Sequence, residues 1–416
     1  TKKLAAIVLL IIISLSVILA SLVILPSPVK HAITPEPQLV DLTNLSENIT
    51  RLTRNSGADE DPVWSADGGR IFFESRPDTG VGCYAPECYI CAMDADGSNL
   101  TMLANGTNPV LSSDKVFFKQ VNYPYIDLWV MNTDGSDKKK LTTLNSTLCC
   151  SPTLSPDGSK ICYYTRYDTG YYWVKWNDDT LTRFDHEPQP GRQDVAIMGG
   201  EKHADIWVMD VSGENKTKIS SDTDTTWFYP SLEWSPDGKR ILFQTSTLSC
   251  DNPIENVDIW VMDADGSNKK RQTNHSGYDM NPIWSPDGNK IVYMSGNVSN
   301  LDVWTMKPDG SDKKQLTNGA QNTGFDWSPD MGKIAYITWL TKDPKAREIR
   351  IMDADGSNKE LLLSIPRNPS RVIMSSLAWS PDGSKIAFSY FAIDVENSDI
   401  YVIDVPAMDE DKSLMR

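Results

Sequence analysis

The sequence predicts an all-β fold: a seven-bladed β-propeller that is closed by an N-terminal strand and preceded by one transmembrane helix. Three observations lead to this prediction. A Trp-Ser-Pro-Asp-Gly motif recurs along the 416 residues, a second motif of the type Asp-Ile-Trp-Val-Met-Asp-Ala-Asp-Gly follows each copy, and a long apolar segment begins the chain. Motifs that recur about every 40 to 50 residues are typical of propellers and solenoids, whose repeats bury a shared core.

The first motif has six clear copies and one degenerate copy, VLSSDKVFFKQ from Val110. The clear copies begin at Val63, Thr153, Glu233, Ile283, Asp326 and Ala378. In a tight turn, Pro presets φ at the second position and Gly tolerates the position that closes the turn. Because the motif recurs, we interpret it as a turn between two strands and not as a reactive cluster of Trp, Ser and Asp.

The second motif ends in Asp-Gly-Ser-Asn or a close variant, which is typical of a hairpin turn. Its copies begin at Cys88, Asp127, Asp205, Asp258, Asp302, Glu348 and Asp399. Most are followed by a short tail such as KKLTT, so each repeat contains four short segments that are rich in β-branched and aromatic residues. Four strands per repeat, packed around a common axis, give a β-propeller.

The two ends of the repeat region complement each other. The last copy of the second motif stops after its third strand, and Pro406 follows it. The missing fourth strand has a counterpart in NITRLT, Asn48–Thr53, which matches the tails and precedes the first Trp-Ser motif. We therefore expect this N-terminal segment to complete the seventh blade.

Through these motif copies, residues 48–405 resemble the repeats of TolB-type β-propellers, which are related to WD-repeat propellers. The resemblance implies the propeller fold and is less specific for function. TolB is a smaller propeller with an extra N-terminal domain, and it binds envelope lipoproteins. That role does not carry over, because an apolar segment precedes the blades here. Similar blades cap some serine peptidases, and similar seven-bladed rings occur in pectin-fragment lyases that use a metal.

The N-terminal segment predicts export. Residues Leu4–Leu25 carry no charge, follow Lys2 and Lys3, and are long enough to cross a bilayer as a helix. A cleaved signal peptide is the alternative, although its apolar part is usually shorter. The expected boundaries are 1–25 for the anchor or signal segment, 26–47 for a Pro-rich linker, 48–406 for the propeller with an insertion at 166–204, and 407–416 for a C-terminal tail.

The composition limits the classes of partner and the cellular compartment that are compatible with this sequence. The net charge of −16 argues against a nucleic-acid partner, which would require a basic face. Eight N-x-S/T sequons are glycosylation candidates in an exported chain: Asn44, Asn48, Asn99, Asn105, Asn145, Asn215, Asn274 and Asn297. Of the seven cysteines, some would pair in an oxidising compartment. The spacing of Cys83, Cys88 and Cys91 is also compatible with a metal site.

Tryptophan positions separate scaffold from candidate binding surface. Nine tryptophans recur at repeat positions, where we expect them to pack between blades: Trp64, Trp234, Trp284, Trp327, Trp379, Trp129, Trp207, Trp260 and Trp304. The four others fall in or near irregular connections, which gather on one face of a propeller and commonly mark its binding face. With neighbouring aromatics they predict a surface that binds a protein or a glycan: Tyr171, Tyr172, Trp173, Trp176, Trp227, Phe228, Tyr229 and Trp339. The alternative is that the insertion buries them locally.

Two weaker site candidates contain acids and histidines. The connections between repeats would bring carboxylates to the mouth of the central channel, either as solvated loop acids or as ligands of a cation such as calcium: Asp59, Glu60, Asp61, Asp222, Asp224 and Asp279. The insertion also contains a candidate metal set: Asp185, His186, Glu187 and His203.

The leading functional prediction is a membrane-anchored, extracytoplasmic propeller that binds a partner, requires no cofactor, is monomeric and is not an enzyme. The alternatives are a metal-dependent polysaccharide lyase and a structural cell-surface protein. A lyase of that kind would need several histidines at the channel, and only His186, His203 and His275 lie in the repeat region. An exposed aromatic cluster would favour binding, whereas convergence of these histidines would favour the enzyme.

Overall fold

The computed structural model describes part of the chain. The described residues are 41–77, 88–112, 114–122, 125–144, 152–168, 171–175, 181–184, 195–199, 202–222, 231–249, 252–297, 299–319, 321–340, 346–366, 372–392 and 397–406. Among them, no helix has the length and apolar character needed to span a bilayer. The predicted anchor at 1–25 and the C-terminal tail at 407–416 lie outside these residues.

The described residues form strands and one short 3₁₀ helix, Leu42–Asn44, so the all-β prediction is confirmed. Up to the end of the second repeat the strands are β1 (Ile49–Arg51), β2 (Ala58–Trp64), β3 (Arg70–Arg76), β4 (Tyr89–Asp94), β5 (Thr101–Asn105), β6 (Thr107–Ser112), β7 (Lys115–Asn122), β8 (Tyr125–Asn132) and β9 (Lys139–Leu144). The third repeat contains β10 (Thr153–Leu154), β11 (Lys160–Asp168), β12 (Tyr171–Lys175), β13 (Leu181–Phe184), β14 (Val195–Gly199), β15 (Lys202–Asp210) and β16 (Thr217–Asp222).

The remaining repeats continue the same pattern. The fourth and fifth contain β17 (Leu232–Trp234), β18 (Arg240–Ser249), β19 (Asn252–Asp263), β20 (Lys270–Arg271), β21 (Tyr278–Trp284), β22 (Ile291–Asn297), β23 (Asn300–Met306) and β24 (Lys314–Gln315). The last two contain β25 (Gln321–Trp327), β26 (Lys333–Leu340), β27 (Ala346–Asp353), β28 (Glu360–Pro366), β29 (Val372–Trp379), β30 (Lys385–Ala392) and β31 (Asn397–Asp404).

Each repeat supplies four neighbouring strands. Their orders are β2-β3-β4-β5, β6-β7-β8-β9, β10-β11-β15-β16, β17-β18-β19-β20, β21-β22-β23-β24 and β25-β26-β27-β28, while β29-β30-β31 is completed by β1. Strands of successive sets also meet through short parallel pairings, Ala58 with Ser398 and Val257 with Tyr278. The prediction of four strands per repeat is therefore confirmed for the described residues.

The N-terminal strand closes the last repeat as predicted. β1 runs antiparallel to β31, with Ile49 opposite Ile403 and Arg51 opposite Tyr401. The Arg51 Nη2 lies 2.5 Å from the Oδ2 of Asp399, whose side chain is completely buried. Segments from the two ends of the repeat region are therefore joined by backbone pairing and by one buried ion pair.

The Ser-Pro-Asp-Gly motif forms the predicted turn. In the copy after Trp284, the Ser285 Oγ donates to the Asp287 Oδ1 at 2.5 Å, and the Gly288 N–H donates to the Ser285 carbonyl at 2.8 Å. The Lys290 N–H then donates to the Ser285 Oγ at 2.9 Å. Gly288 has φ +69°, in the left-handed region that favours glycine. Serine and aspartate therefore organise the turn, which confirms the structural interpretation of the motif.

The Asp-Ala-Asp-Gly-Ser-Asn motif forms the second hairpin. Gly266 and Asn268 both have positive φ, +87° and +52°. The Asn268 Nδ2 donates to the Asp263 Oδ2 at 2.6 Å across the turn. An added Cβ at Gly266 would lie 2.1 Å from the carbonyl oxygen of Ile219, so glycine is required for backbone approach as well as for conformation.

The chain divides into two compact units. One contains the described residues of 41–112, 296–303 and 315–406. Its core includes Trp379, Phe388 and Tyr401, of which Phe388 and Tyr401 are fully buried. The other unit contains the described residues of 114–295 and 304–314, and one of its cores is built around Trp234 and Phe243.

The repeat tryptophans fall into two groups. The five that precede the turn are buried, with 4 to 8% of their surface exposed: Trp64, Trp234, Trp284, Trp327 and Trp379. Their indole nitrogens can link repeats, as where the Trp64 Nε1 donates to the Ala378 carbonyl at 3.0 Å. The four on third strands are only partly buried: Trp129, Trp207, Trp260 and Trp304. Packing in the core is therefore confirmed for the first group, whereas the second group retains access to solvent.

Candidate functional site

The insertion in the third repeat contains a small sheet that the four-strand pattern does not require. Its strand order is β13-β12-β14, and it lies in the chain between β11 and β15. On β12, Tyr171 pairs with Phe184 of β13 and with Gly199 of β14, while Trp173 pairs with Thr182 and Ile197. Tyr171 and Trp173 therefore both lie on the central strand of this sheet.

Tyr172 lies on the same strand and pairs with Arg183 of β13 and Met198 of β14. Three of the eight predicted binding residues therefore lie on the central strand of one sheet. Four others lie outside the described residues: Trp176, Trp227, Phe228 and Tyr229.

The eighth predicted binding residue, Trp339, lies on β26 in the other compact unit. It pairs in register with Arg347 of β27, and the Arg347 guanidinium carbon lies 4.7 Å from the centroid of its ring. This partly buried tryptophan therefore makes a cation–π contact within its own repeat.

The acids predicted at connections between repeats lie instead on the first strands of repeats. Asp59, Glu60 and Asp61 belong to β2, and Asp279 belongs to β21. Asp59 is completely buried and Asp279 is 1% exposed, so the expectation of solvated loop acids is wrong for both. These strands begin five or more residues before the motif tryptophan, which carries the acids into the sheet. Asp222 ends β16, and Asp224 lies outside the described residues.

Burial controls the chemistry of these carboxyls. It raises the pKa of Asp59, against the effect of the Asn55 side chain, which donates to the Asp59 Oδ1 at 3.0 Å. Burial likewise raises the pKa of Glu60 to about 7, although the paired Arg76 opposes the change. Asp61 has φ +53° and accepts a hydrogen bond from the Ser376 hydroxyl. These groups are held by protein partners, as expected of a structural network.

His275, which the sequence suggested only as one of the histidines of a metal-dependent lyase, lies in a more specific arrangement. The His275 Nδ1 lies 2.8 Å from the Asp279 Oδ2, and its Nε2 lies 3.3 Å from the Ser295 Oγ. The order Ser-His-Asp is that of a nucleophilic triad. The Asp279 side chain is 1% exposed and that of His275 is 49% exposed. The histidine therefore lies at the protein surface, next to the buried pair of Asp279 and Ser295.

The first repeat shows that this arrangement belongs to the scaffold. RLTRNSGADEDPVW from Arg51 aligns with RQTNHSGYDMNPIW from Arg271, which places Asn55 where His275 stands and Asp59 where Asp279 stands. Ser75 is hydrogen-bonded to Asp59, as Ser295 is to Asp279. The hydrogen-bonded pair of aspartate and serine therefore forms in the first repeat without a histidine. Aligning the two segments would have revealed this recurrence from the sequence.

The predicted metal set is only partly described. His203 lies on β15 opposite Tyr167, while Asp185, His186 and Glu187 lie outside the described residues. In the part of the chain that the structure describes, no three His, Cys, Asp or Glu side chains are grouped so as to hold a metal. Cys88 and Cys91 are free thiols there, and burial raises their pKa to about 12 and about 11. Cys83 lies outside the described residues.

The raised pKa of Asp326, a partly buried carboxyl on β25, leads to a prediction of how the stability of the fold depends on pH. Asp326 accepts the N–H groups of Trp327 at 2.9 Å and Trp379 at 3.2 Å, but burial outweighs them and raises its pKa to about 7. The folded state therefore binds more protons than the unfolded state between about pH 4 and 7, and stability falls as pH rises through that window. Burial also raises the pKa of Glu60 to about 7 and that of Asp399 to about 6, with the same sign.

We expect Asp326→Asn to raise the free energy of unfolding by about 2 kcal/mol near pH 8 and to change it little near pH 4. Urea unfolding followed by far-UV circular dichroism across this range would measure both values. The matched control is Asp330→Asn, because the Asp330 pKa is lowered by the Ser328 hydroxyl and so changes stability with the opposite sign. An Asp326 variant with the pH profile of the wild type would contradict the assignment.

Comparison with known proteins supports the propeller fold. The TolB β-propeller domain family matches residues 189–341. An uncharacterised protein of Agrobacterium fabrum is 30% identical over 196 residues, which are 45% of this chain and 63% of that protein. The chain thus spans less than two thirds of the length of this curated relative.

Two solved structures are similar over most of the chain. An oligogalacturonate lyase in complex with manganese has a TM-score of 0.61 at 15% identity, covering 86% of this chain and 93% of the lyase. An acylaminoacyl peptidase of Pyrococcus horikoshii has a TM-score of 0.55 at 14% identity, covering 81% of this chain and 49% of the peptidase. At these identities the likeness shows the fold alone. Residues 189–341 thus match the TolB β-propeller domain model, and the two motifs of that stretch recur along the rest of the chain.

Proposed function

We propose that this chain is a seven-bladed, membrane-anchored, extracytoplasmic propeller that acts as a non-catalytic binding scaffold for a protein or glycan partner. The observation that carries the proposal is the three-stranded sheet β13-β12-β14. Among the residues that the structure describes, each other repeat has four strands, counting β1 in the last, whereas the third repeat adds a second sheet to its own four. An elaboration of this kind on a regular scaffold is where repeat proteins commonly place a binding surface.

The residues of the small sheet suit contact with a protein or a sugar ring. Tyr171 and Trp173 lie two residues apart on β12, and the residues paired with them across the sheet include Phe184 and Ile197. Tyrosine and tryptophan provide a large contact area at low conformational cost and retain a polar group for hydrogen bonding. The net charge of −16 favours a neutral or basic partner and disfavours nucleic acid.

The proposed location rests on the N-terminal sequence. The uncharged segment Leu4–Leu25 would anchor the chain, and the Pro-rich residues 26–47 would hold the repeats away from the bilayer. We propose that the protein acts as a monomer there, because the candidate surface lies on one repeat and needs no second copy.

The test compares two alternating sets of positions on one strand in the full-length chain. We expect Tyr171→Ala/Trp173→Ala to weaken binding to surface proteins or neutral surface polysaccharides by about tenfold or more, as loss of two aromatic anchors does at other interfaces. The matched control is Tyr172→Ala/Val174→Ala, which changes the alternate positions of β12. Co-sedimentation with the isolated surface fraction would measure both. Equal binding by the two variants would contradict this surface.

The rival function, a metal-dependent lyase, predicts a different result. Such an enzyme would bind Mn²⁺ and eliminate across an oligogalacturonate to give an unsaturated, ultraviolet-absorbing product. The proposal requires no cofactor and no reaction, so we expect neither Mn²⁺ uptake by calorimetry nor product formation. A channel cation such as calcium would appear in the same titrations, and loss of that binding in Asp59→Asn would assign it to the first-strand acids.

A further inference from the structure

We propose that Asn297 is the preferred site of N-linked glycosylation in the folded protein, and that two other sequons are blocked by their own hairpins. The inference rests on the exported location of the proposed function and not on its binding surface. The eight sequons have the same sequence pattern, so the selection among them comes from local structure.

Asn297 ends β22, and Ser299 immediately precedes β23, which begins at Asn300. Its Oδ1 accepts the N–H of Ser299 at 2.9 Å, which forms an Asx turn within the sequon itself. This bond fixes the oxygen of the planar amide toward the turn, and the nitrogen occupies the other side. Asn297 and Ser299 are both exposed. Within the described residues, neither the Asn297 Nδ2 nor the Ser299 Oγ has a hydrogen-bond partner.

Asn99 shows the opposite arrangement. It lies in an Asp-Gly hairpin with φ +54°, and its Nδ2 donates to the Asp94 Oδ2 at 2.6 Å. The sequon hydroxyl is also engaged, because the Thr101 Oγ1 donates to the Asn99 carbonyl at 3.0 Å. Both groups that a glycosyltransferase must reach are therefore held by the hairpin.

Asn215 repeats the blocked arrangement in the other compact unit. Its Nδ2 donates to the Asp210 Oδ2 at 2.6 Å, and the Thr217 Oγ1 donates to the Asn215 carbonyl at 3.4 Å. A hydrogen bond to a charged carboxylate is worth about 1.5 to 3 kcal/mol, so breaking it before transfer would lower the population of reactive asparagine. Asn274 is exposed but shows no Asx turn among the described contacts, which ranks it below Asn297.

The transfer that we propose uses a glycan carried on a polyprenyl pyrophosphate. The Asn297 Nδ2 attacks the anomeric carbon and forms the C–N bond, while the bond from that carbon to the pyrophosphate oxygen breaks. The pyrophosphate leaves with the electron pair, and a proton from Nδ2 passes to a base of the transferase. The Asx turn supplies an accessible Nδ2, and the unpartnered Ser299 hydroxyl is available to the transferase.

Mass spectrometry of glycopeptides from the full-length protein, purified from the cells that make it, tests the proposal. We expect occupancy at Asn297 to exceed that at Asn99 and Asn215 by about tenfold, which corresponds to the loss of one charged hydrogen bond. No glycan at Asn297 would overturn the proposal. Equal occupancy at all three sequons would also overturn it, because it would show transfer to the unfolded chain.

Three variants separate geometry from sequence. Gly296→Ala keeps the sequon, but its Cβ would lie 2.0 Å from the Asn300 carbonyl oxygen, so the hairpin must shift and occupancy at Asn297 should fall. Asp94→Ala releases the Asn99 Nδ2, and occupancy at Asn99 should rise. Ser299→Ala removes the sequon hydroxyl and should abolish modification with an unchanged circular dichroism spectrum. Unchanged occupancy in the first two variants would refute the role of the turn, whatever the result of the binding experiment on Tyr171 and Trp173.

Discussion

Replacing Arg51 with alanine is expected to destabilise the protein by about 3 kcal/mol, because it leaves a buried carboxylate without its cationic partner. The Arg51 guanidinium is 15% exposed and lies 2.5 Å from Asp399, whose side chain is completely buried. The Arg51 Nε also donates to the Thr53 carbonyl at 3.1 Å, which ties β1 to the chain that follows it. Loss of this side chain therefore weakens the pairing of β1 with β31 as well as the ion pair.

Urea unfolding near pH 8 would measure this loss, and hydrogen exchange in β31 would locate it. Burial raises the pKa of Asp399 to about 6 even with Arg51 present, so the variant can relieve its penalty by taking up a proton. We therefore expect a smaller loss near pH 5. The control is Arg54→Ala, an arginine that is 62% exposed and 3.4 Å from Asp41, which should cost less than about 0.5 kcal/mol. Equal losses of stability in the two variants would show that the ion pair of Arg51 with Asp399 contributes no more than the exposed pair of Arg54 with Asp41.

Replacing Trp379 with alanine is expected to cost about 3 to 5 kcal/mol, the usual range for removing a large buried aromatic. Trp379 is 7% exposed and packs in the core that includes Ile386, Phe388 and Tyr401. Its Nε1 donates to the Asp326 carbonyl at 3.3 Å, and its backbone N–H donates to the Asp326 Oδ2 at 3.2 Å. The ring therefore fills space and also connects β29 with β25 of the preceding repeat.

The variant Trp379→Phe separates these two contributions. It keeps most of the buried ring and removes only the Nε1 bond, so we expect a loss of about 1 kcal/mol. Denaturant midpoints from far-UV circular dichroism are suitable, since the change removes a fluorescent residue. If phenylalanine costs as much as alanine, then the hydrogen bond to Asp326 and not the buried ring dominates at this position.

The recurrence of motifs made most of the scaffold predictable. A turn that appears once, such as that around Ser285, could be mistaken for a reactive cluster, whereas six further sites that match it identify a structural role. The closing strand was predictable for the same reason, because NITRLT supplies the one segment that the last repeat lacks. In both cases the physical information is local: turn residues with special φ and strands with alternating apolar residues.

The candidate sites were less predictable because they depend on burial and on partners distant in sequence. Asp59 and Asp279 are acids near turns, where side chains are usually exposed to solvent, but the first strands β2 and β21 extend far enough to bury both. His275 was considered as a metal ligand, although its neighbours are Asp279 and Ser295 of its own repeat. Sequence alone ranked the eight sequons equally, whereas the hydrogen bonds of Asn99, Asn215 and Asn297 distinguish them.

The sequence by itself determined the architecture of this protein, because each repeat carries its own turn residues, strand pattern and core tryptophan. Only the tertiary structure decided which polar groups are free to act. The availability of a carboxylate, an amide or a hydroxyl is set by desolvation and by hydrogen bonds to strands that the sequence leaves far apart. The Asp399 carboxylate is paired with Arg51 where β1 completes the last repeat. The Asn297 side chain, in contrast, bonds to the Ser299 N–H through its oxygen and leaves its nitrogen exposed to solvent.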